Sequence, residues 1–171
     1  MILSVVGLSY GLSILPRLER PKAIPVLKTG LIAGAWAYGG VILPILGQGG
    51  DWVIAGSIAF YRLPLLLANM IITDSVDREG DRSEGIRTTL MDRDLAFVRR
   101  TALTLTVIHL IMALIVGGLY HRDYLFGVDA IGGILALIVL GSGRTLSSDT
   151  VFRMDLIVGW PLITYIVSVV M

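Results

Sequence analysis

Long apolar runs separated by short charged connections set the pattern of this chain. Six runs stand out: Met1 to Leu15, Val26 to Leu46, Trp52 to Thr73, Thr101 to Leu119, Tyr124 to Gly141 and Asp155 to Met171. A helix that crosses a bilayer needs about 20 mainly apolar residues, because the hydrocarbon core is about 30 Å thick and each residue rises about 1.5 Å. Five runs approach that length. The first, uncharged and about 22 Å long as a helix, falls short, and is read as a helix whose start lies upstream. A cleaved signal peptide is the competing reading, but no basic residue precedes the run and no clear small-x-small cleavage site precedes Arg17. The pattern predicts an all-α fold, a polytopic transmembrane helical bundle with about six spans, forming a single domain over 1–171.

Composition agrees. Of 171 residues, 55% are hydrophobic and 16% charged, and the mean hydropathy is +0.82, which excludes an ordinary soluble globule. The formal net charge of +1 leaves no bulk basic field, so no nucleic-acid partner is expected. With no cysteine, disulfides, thiol nucleophiles and zinc–cysteine sites are absent. His109 and His121 are too few and too separated for a zinc cluster, so oxygen-liganded Mg²⁺ or Ca²⁺ is the metal class that remains.

The basic residues are distributed unevenly. The connections after the first, third and fifth runs carry Arg17, Arg20, Lys22 and Lys28, then Arg78, Arg82, Arg87, Arg93, Arg99 and Arg100, then Arg144 and Arg153. The opposite connections carry Arg122 alone. An excess of Lys and Arg marks cytoplasmic loops, so an integral membrane protein is expected, in a bacterial or archaeal cytoplasmic membrane, with its charged connections in the cytoplasm and both visible ends outward. A missing amino-terminal part accounts for the outward start most simply. Glycines such as Gly30, Gly34, Gly132 and Gly133 permit close helix packing. Pro44, Pro64 and Pro161 predict kinks.

Asn69 to Asp94, NMIITDSVDREGDRSEGIRTTLMDRD, cannot lie in lipid: each Asp or Arg at mid-membrane costs about 2.5–3.5 kcal/mol on insertion scales. It reads as a cytoplasmic cap. If the third run continues as a helix, Asp74, Asp77 and Asp81 follow i, i+3, i+7 and share one stripe. Their mutual repulsion, about 3 kcal/mol per pair near 6 Å at an effective dielectric of 20, needs an offsetting positive charge. Arg78 and Arg82 project away from the stripe, and a divalent cation fits it better. Mg²⁺ takes one or two carboxylates and completes its shell with water and substrate phosphate, so the stripe points to a phosphate-bearing substrate. The plainer alternative is an acidic helix end, solvated or paired with the interleaved arginines. Gly80, Gly85 and Arg87-Thr88-Thr89 suggest that the helix breaks after Asp81 and turns back over the site.

Arg62, near the middle of the third run, marks an interior polar site, paired with a carbonyl or Asn or else touching substrate. Lys28 begins the second run in the interfacial layer of Asp74 and either neutralises a bound diphosphate or, with Arg20 and Lys22, only sets topology. His109 reads as a hydrogen-bonded interior histidine, and Trp36, Trp52 and Trp160 as interface or packing aromatics.

The pattern N-x-x-x-x-D-x-x-D-x-x-x-D-x-x-x-G-x-x-T, carried by Asn69, Asp74, Asp77, Asp81, Gly85 and Thr88, resembles the second aspartate-rich motif of the UbiA-type intramembrane prenyltransferases. With the basic R-P-K-A-I-P-V-L-K connection and the order of runs, the chain looks like spans four to nine of that nine-span fold. The resemblance implies Mg²⁺-dependent transfer of an isoprenyl group from a prenyl diphosphate to a lipid-soluble, commonly aromatic, acceptor at a cytoplasmic site. Asp77 and Asp81 would be the catalytic carboxylates, Asp74, Asp77 and Asp81 the metal ligands, and Lys28, Arg20, Lys22, Asn69 and Arg87 the diphosphate contacts. The family's first aspartate-rich motif is nowhere in the chain and its Tyr-x-x-x-Lys pattern is not clearly present, so missing amino-terminal spans are expected to be required. Two alternatives remain. A CDP-alcohol phosphotransferase would open D-x-x-D-G-x-x-A-R, which Asp74-Ser75-Val76-Asp77-Arg78 does not meet. A non-catalytic membrane assembly subunit or degenerate fragment would keep the fold without turnover.

Overall fold

A computed structural model of the chain describes residues 25–83, 92–120, 123–143 and 145–170, and side-chain surroundings over 29–83, 92–119, 127–143 and 145–160. Among the described residues every regular element is a helix: α1 (Pro25–Ala37), a π-helical turn (Tyr38–Ile42), α2 (Leu43–Gly47), α3 (Trp52–Val76), α4 (Arg78–Ser83), α5 (Leu95–Tyr120), α6 (Asp123–Gly141) and α7 (Ser148–Val170). Among the described residues three stretches are long and apolar enough to cross a membrane: Thr29–Gly47, Trp52–Val76 and Leu95–Leu119. The expected first run, Met1 to Leu15, lies outside the described residues.

Prolines and caps explain the breaks. Pro44 has no N–H to offer the carbonyl four residues back, and its ring would press on that turn. The chain widens immediately before it, with the Leu43 N–H reaching back to Tyr38 O, and the π turn accommodates the proline without ending the run. The run does end at Gln48–Asp51. Gly49 takes φ +76°, its N–H donates to Leu46 O at 3.0 Å and the Gly50 N–H to Ile45 O at 2.9 Å, the paired bonds of a Schellman stop. The Asp51 carboxylate then caps α3 by accepting from the N–H groups of Val53 and Ile54. Two helices and turn "Gln-Gly-Gly-Asp" thus make a tight antiparallel hairpin.

α5 and α7 begin earlier than hydrophobicity alone predicts, at Leu95 and Ser148. Asp94 accepts from the Phe97 N–H, and Thr150 Oγ1 accepts from the Ser147 N–H at 3.3 Å. Polar capping therefore carries each helix one to two turns beyond its apolar run.

The packing is that of a bundle with apolar surroundings. α6 buries Asp129, Gly132, Gly133, Ala136 and Leu140 and exposes Ile131, Ile134, Leu135 and Ile138. Small residues face inward and large aliphatic ones outward, the reverse of a water-soluble helix, and close packing of small residues is how helices associate in lipid. A Cβ on Gly133 would come within 2.5 Å of Leu110 Cδ2 and 3.2 Å of His109 Cδ2, so α5 and α6 approach closely there and a larger residue would require Leu110 to shift. α3 is the central helix, packed against α1, α5 and α7. Leu65, Ala68 and Ile72 meet Val98, Ala102, Ala136, Leu140, Met154 and Ile157 in the largest core cluster.

The loop charges set a checkable expectation for sidedness. Gln48 and Ser83 are exposed at opposite ends of α3 and its extension, and native cysteine is absent. Ser83→Cys should react only with reagent on the cytoplasmic side and Gln48→Cys only with reagent outside; the opposite labelling would invert the topology.

Candidate functional site

Three polar layers lie along α3, and the motif's aspartates occupy the one nearest its C-terminus. The helix bends at Asp77, which has φ −82° and ψ 5°. Thr73 Oγ1 donates to Asn69 O at 3.0 Å and Ser75 Oγ to Ile72 O at 2.7 Å; hydroxyls that return to the preceding turn bend helices. The Asp77 N–H still reaches Thr73 O and the Asp81 N–H reaches Asp77 O, both at 3.0 Å, so α4 continues the chain in a new direction.

That bend changes the expected stripe, which assumed a continuous helix. Asp74 is buried in the α1–α3 interface, where Thr29 Oγ1 donates to its Oδ2 at 3.4 Å. Asp77, at the bend, is exposed and Asp81, one turn beyond it, is half-buried. Among the described residues no three acidic or histidine side chains are grouped closely enough to hold a metal ion. The cap offers two carboxylates with Asp74 turned to the side. Two hard oxygen donors suit Mg²⁺, which needs only one or two from protein when phosphate and water supply the rest.

The basic partners are also rearranged. Arg20, Lys22 and Arg87, and with them Gly85 and Thr88, lie outside the described residues. Lys28 falls in the first turn of α1, and its side chain lies outside them. Of the described arginines at the cap, Arg78 donates through Nη2 to Arg93 O at 3.0 Å, and Arg93 stacks over the Phe97 ring at 5.2 Å. Arg78 Nε and Arg99 Nε are buried and have no hydrogen-bond acceptor among the described residues. The sequence pattern marks Arg99 only as a topology-setting charge, and Arg78 also as a candidate to offset the aspartates, one that projects away from their stripe.

The second layer lies about 12 Å from Asp77 along α3, eight residues back at about 1.5 Å each. Asn69 Nδ2 donates to Asp155 Oδ1 of α7 at 2.7 Å. Asn69 is 7% exposed, while Asp155 is exposed. Hydrophobicity had placed Asp155 at the start of a span; the early start of α7 puts it in the second turn instead.

The third layer sits halfway along four helices. Arg62 Nε of α3 lies 3.5 Å from Asp129 Oδ1 of α6, and Arg62 Nη2 donates to Val158 O of α7 at 3.0 Å. Tyr61 Oη donates to Asp129 Oδ2. His109 of α5, fully buried, places Nδ1 at 2.9 Å from Tyr61 O and Nε2 at 3.5 Å from Asp129 O. Both ring nitrogens face carbonyl oxygens, which only accept, and the shorter contact, at Tyr61 O, favours the proton on Nδ1. Of the two readings of Arg62, the structure bears out pairing within the protein, with a carbonyl and a carboxylate. His109 is the hydrogen-bonded interior histidine expected. Asp129 was missed, although a lone acid in an apolar run beside a lone intramembrane arginine was the available signal.

Comparison of the chain with protein families, curated proteins and solved structures returns no match.

Proposed function

We propose that the chain belongs to a UbiA-like membrane prenyltransferase, which moves an isoprenyl group from a prenyl diphosphate to a lipid-soluble acceptor with Mg²⁺. The observation that carries this reading is the placement of Asp77 at a bend that ends a membrane-length helix, and of Asp81 one turn beyond it, within the aspartate-rich pattern running from Asn69 to Thr88. Mg²⁺, when bound, supplies the charge that stabilises the leaving diphosphate. Asp77 and Asp81 would hold it. Asp74 supports the site from the α1–α3 interface and helps fix where the bend begins. Arg78 and Arg99, whose Nε–H groups have no acceptor among the described residues, are the described guanidiniums suited to phosphate oxygens, which take paired N–H donors well. Lys28, Arg20, Lys22 and Arg87 remain candidates for the same task. The apolar bundle would keep water from the allylic cation formed as the diphosphate leaves. The resemblance further places the site at the cytoplasmic face and requires a first aspartate-rich motif on additional spans.

The test is a transfer assay in nanodiscs with radiolabelled geranylgeranyl diphosphate and a total lipid extract as acceptor source, run with the chain alone and with such spans supplied. Mg²⁺-dependent transfer of label to lipid, at least with those spans, is the expected result. Label that stays on diphosphate in both preparations, from folded protein, would favour a non-catalytic membrane subunit.

A further inference from the structure

We propose that α6 enters the membrane only in partnership with α3: Arg62, in the bilayer before α6 is synthesised, supplies the positive charge that lets Asp129, and α6 with it, cross the interface. The inference concerns assembly and is independent of the prenyl-transfer reading.

The two helices carry their charges on unequal terms. An Asp or Arg well inside a span is among the costliest residues it can hold. α6 has 19 residues, about 28 Å of helix, which only just matches a hydrocarbon core about 30 Å thick. Asp129 is its seventh residue, about 9 Å from the end. Sliding α6 to bring Asp129 into the headgroups would draw the opposite end into the core, and the short aspartate side chain has no stem along which to reach water. Arg62 is better placed to wait. It is the eleventh of the 25 residues of α3, a helix about 37 Å long, and its long side chain can carry the guanidinium toward an interface until a partner arrives.

The structure shows where that partner comes from. Both carboxylate oxygens of Asp129 are engaged by consecutive residues of α3: Oδ1 lies 3.5 Å from Arg62 Nε, and Oδ2 accepts from the Tyr61 hydroxyl. Yet α6 packs mainly against α5 and α7, its neighbours in sequence. Its charge is therefore answered by a helix made 67 residues earlier. The competing account is that α5, apolar over Leu95–Leu119, draws α6 in as the second half of a hairpin. The two accounts differ in what removing Arg62 does, because that change makes α3 more apolar and leaves α5 and α6 untouched. His109 bonds the backbone carbonyls of Tyr61 and Asp129, contacts that remain available when the side-chain charges are exchanged.

The test reads insertion of the full chain synthesised on microsomes, using N-glycosylation as the mark of a segment left in the lumen. The only asparagine, Asn69, is followed by Met-Ile, so the chain has no acceptor site of its own. Gly143→Asn creates one with Arg144 and Thr145 in the connection after α6, at a backbone position of φ +71° that asparagine tolerates. Ile86→Asn, in a separate chain, creates one with Arg87 and Thr88 in the connection after α3. With Arg62 and Asp129 intact, the acceptor after α6 should stay unmodified. Arg62→Leu should raise its ratio of modified to unmodified chain about tenfold or more, the scale set by one uncompensated charge within a span. Adding Asp129→Leu should restore the starting ratio, and so should exchanging the pair as Arg62→Asp with Asp129→Arg. An unchanged ratio in Arg62→Leu assigns insertion to the α5–α6 hairpin and overturns the proposal. A ratio that stays high after adding Asp129→Leu overturns it, as does glycan on the acceptor after α3 in Arg62→Leu, which would mean that α3 itself had failed to insert. Insertion is read on newly made chains, so a variant that later fails to fold still gives an answer.

Discussion

Asp129→Ala is expected to destabilise the bundle by about 3–5 kcal/mol, the usual cost of removing one member of a buried ion pair. Among the described residues the substitution leaves Arg62, whose side chain is 14% exposed, with the Val158 carbonyl, and removes the Asp129 acceptor of the buried Tyr61 hydroxyl. Both losses fall at mid-helix, where water cannot replace the partner. For a chain of this size the change should lower the thermal midpoint by on the order of 10 °C, read by size-exclusion chromatography after heating in detergent. Asp129→Asn keeps an acceptor oxygen and should cost less. The informative comparison is the double variant Arg62→Met with Asp129→Leu. Desolvating two charges opposes their attraction, so replacing a buried pair with apolar groups of similar volume is often neutral or stabilising. The double variant should therefore recover most of what Asp129→Ala loses, and a midpoint as low as that of the single variant would show that the layer contributes more than charge compensation.

Asp77→Asn and Asp81→Asn should each lower prenyl transfer by about a hundredfold or more, since removing one group that stabilises transition-state charge commonly costs that much. Each change deletes an anionic ligand at nearly constant shape. Were the two aspartates only a solvated helix end, the same changes would relieve repulsion and leave activity and stability intact or slightly better, so the two readings predict opposite signs. Asp74→Asn should act more weakly on transfer and more on the packing of α1 against α3, because its carboxylate meets Thr29. Asp92, exposed in the turn before α5, is the control, and Asp92→Asn should keep most activity. Equal loss there would assign the effect to general loop charge.

The helices were legible because lipid leaves the backbone few choices. A spanning segment must satisfy its own N–H and C=O groups, so apolar length alone predicts a helix, and the stretches Thr29–Gly47, Trp52–Val76 and Leu95–Leu119 follow the runs closely. Their ends were harder to read. Asp94 and the Ser147–Thr150 pair start helices by capping, which hydrophobicity does not register. The cap was legible in composition and partly misjudged in geometry: ideal 3.6-residue periodicity put Asp74, Asp77 and Asp81 on one stripe, whereas the bend at Asp77 separates a buried carboxylate from two more accessible ones. Arg62 announced itself by its cost in an apolar run. Its partner Asp129 is 67 residues away in sequence, and the pairing of Asn69 with Asp155 depends on how α7 lies against α3. Such pairings belong to tertiary structure and leave no periodic trace along the chain.

Whether the Asp77–Asp81 cap holds a diphosphate through Mg²⁺ is tested by equilibrium binding of geranylgeranyl diphosphate to the chain in nanodiscs, titrated with Mg²⁺. The predicted result is saturable binding that requires Mg²⁺, weakens at least about tenfold in Asp77→Asn and Asp81→Asn through loss of a charged ligand, and is unchanged in Asp92→Asn. Binding that ignores Mg²⁺, or that survives both substitutions undiminished, would contradict it.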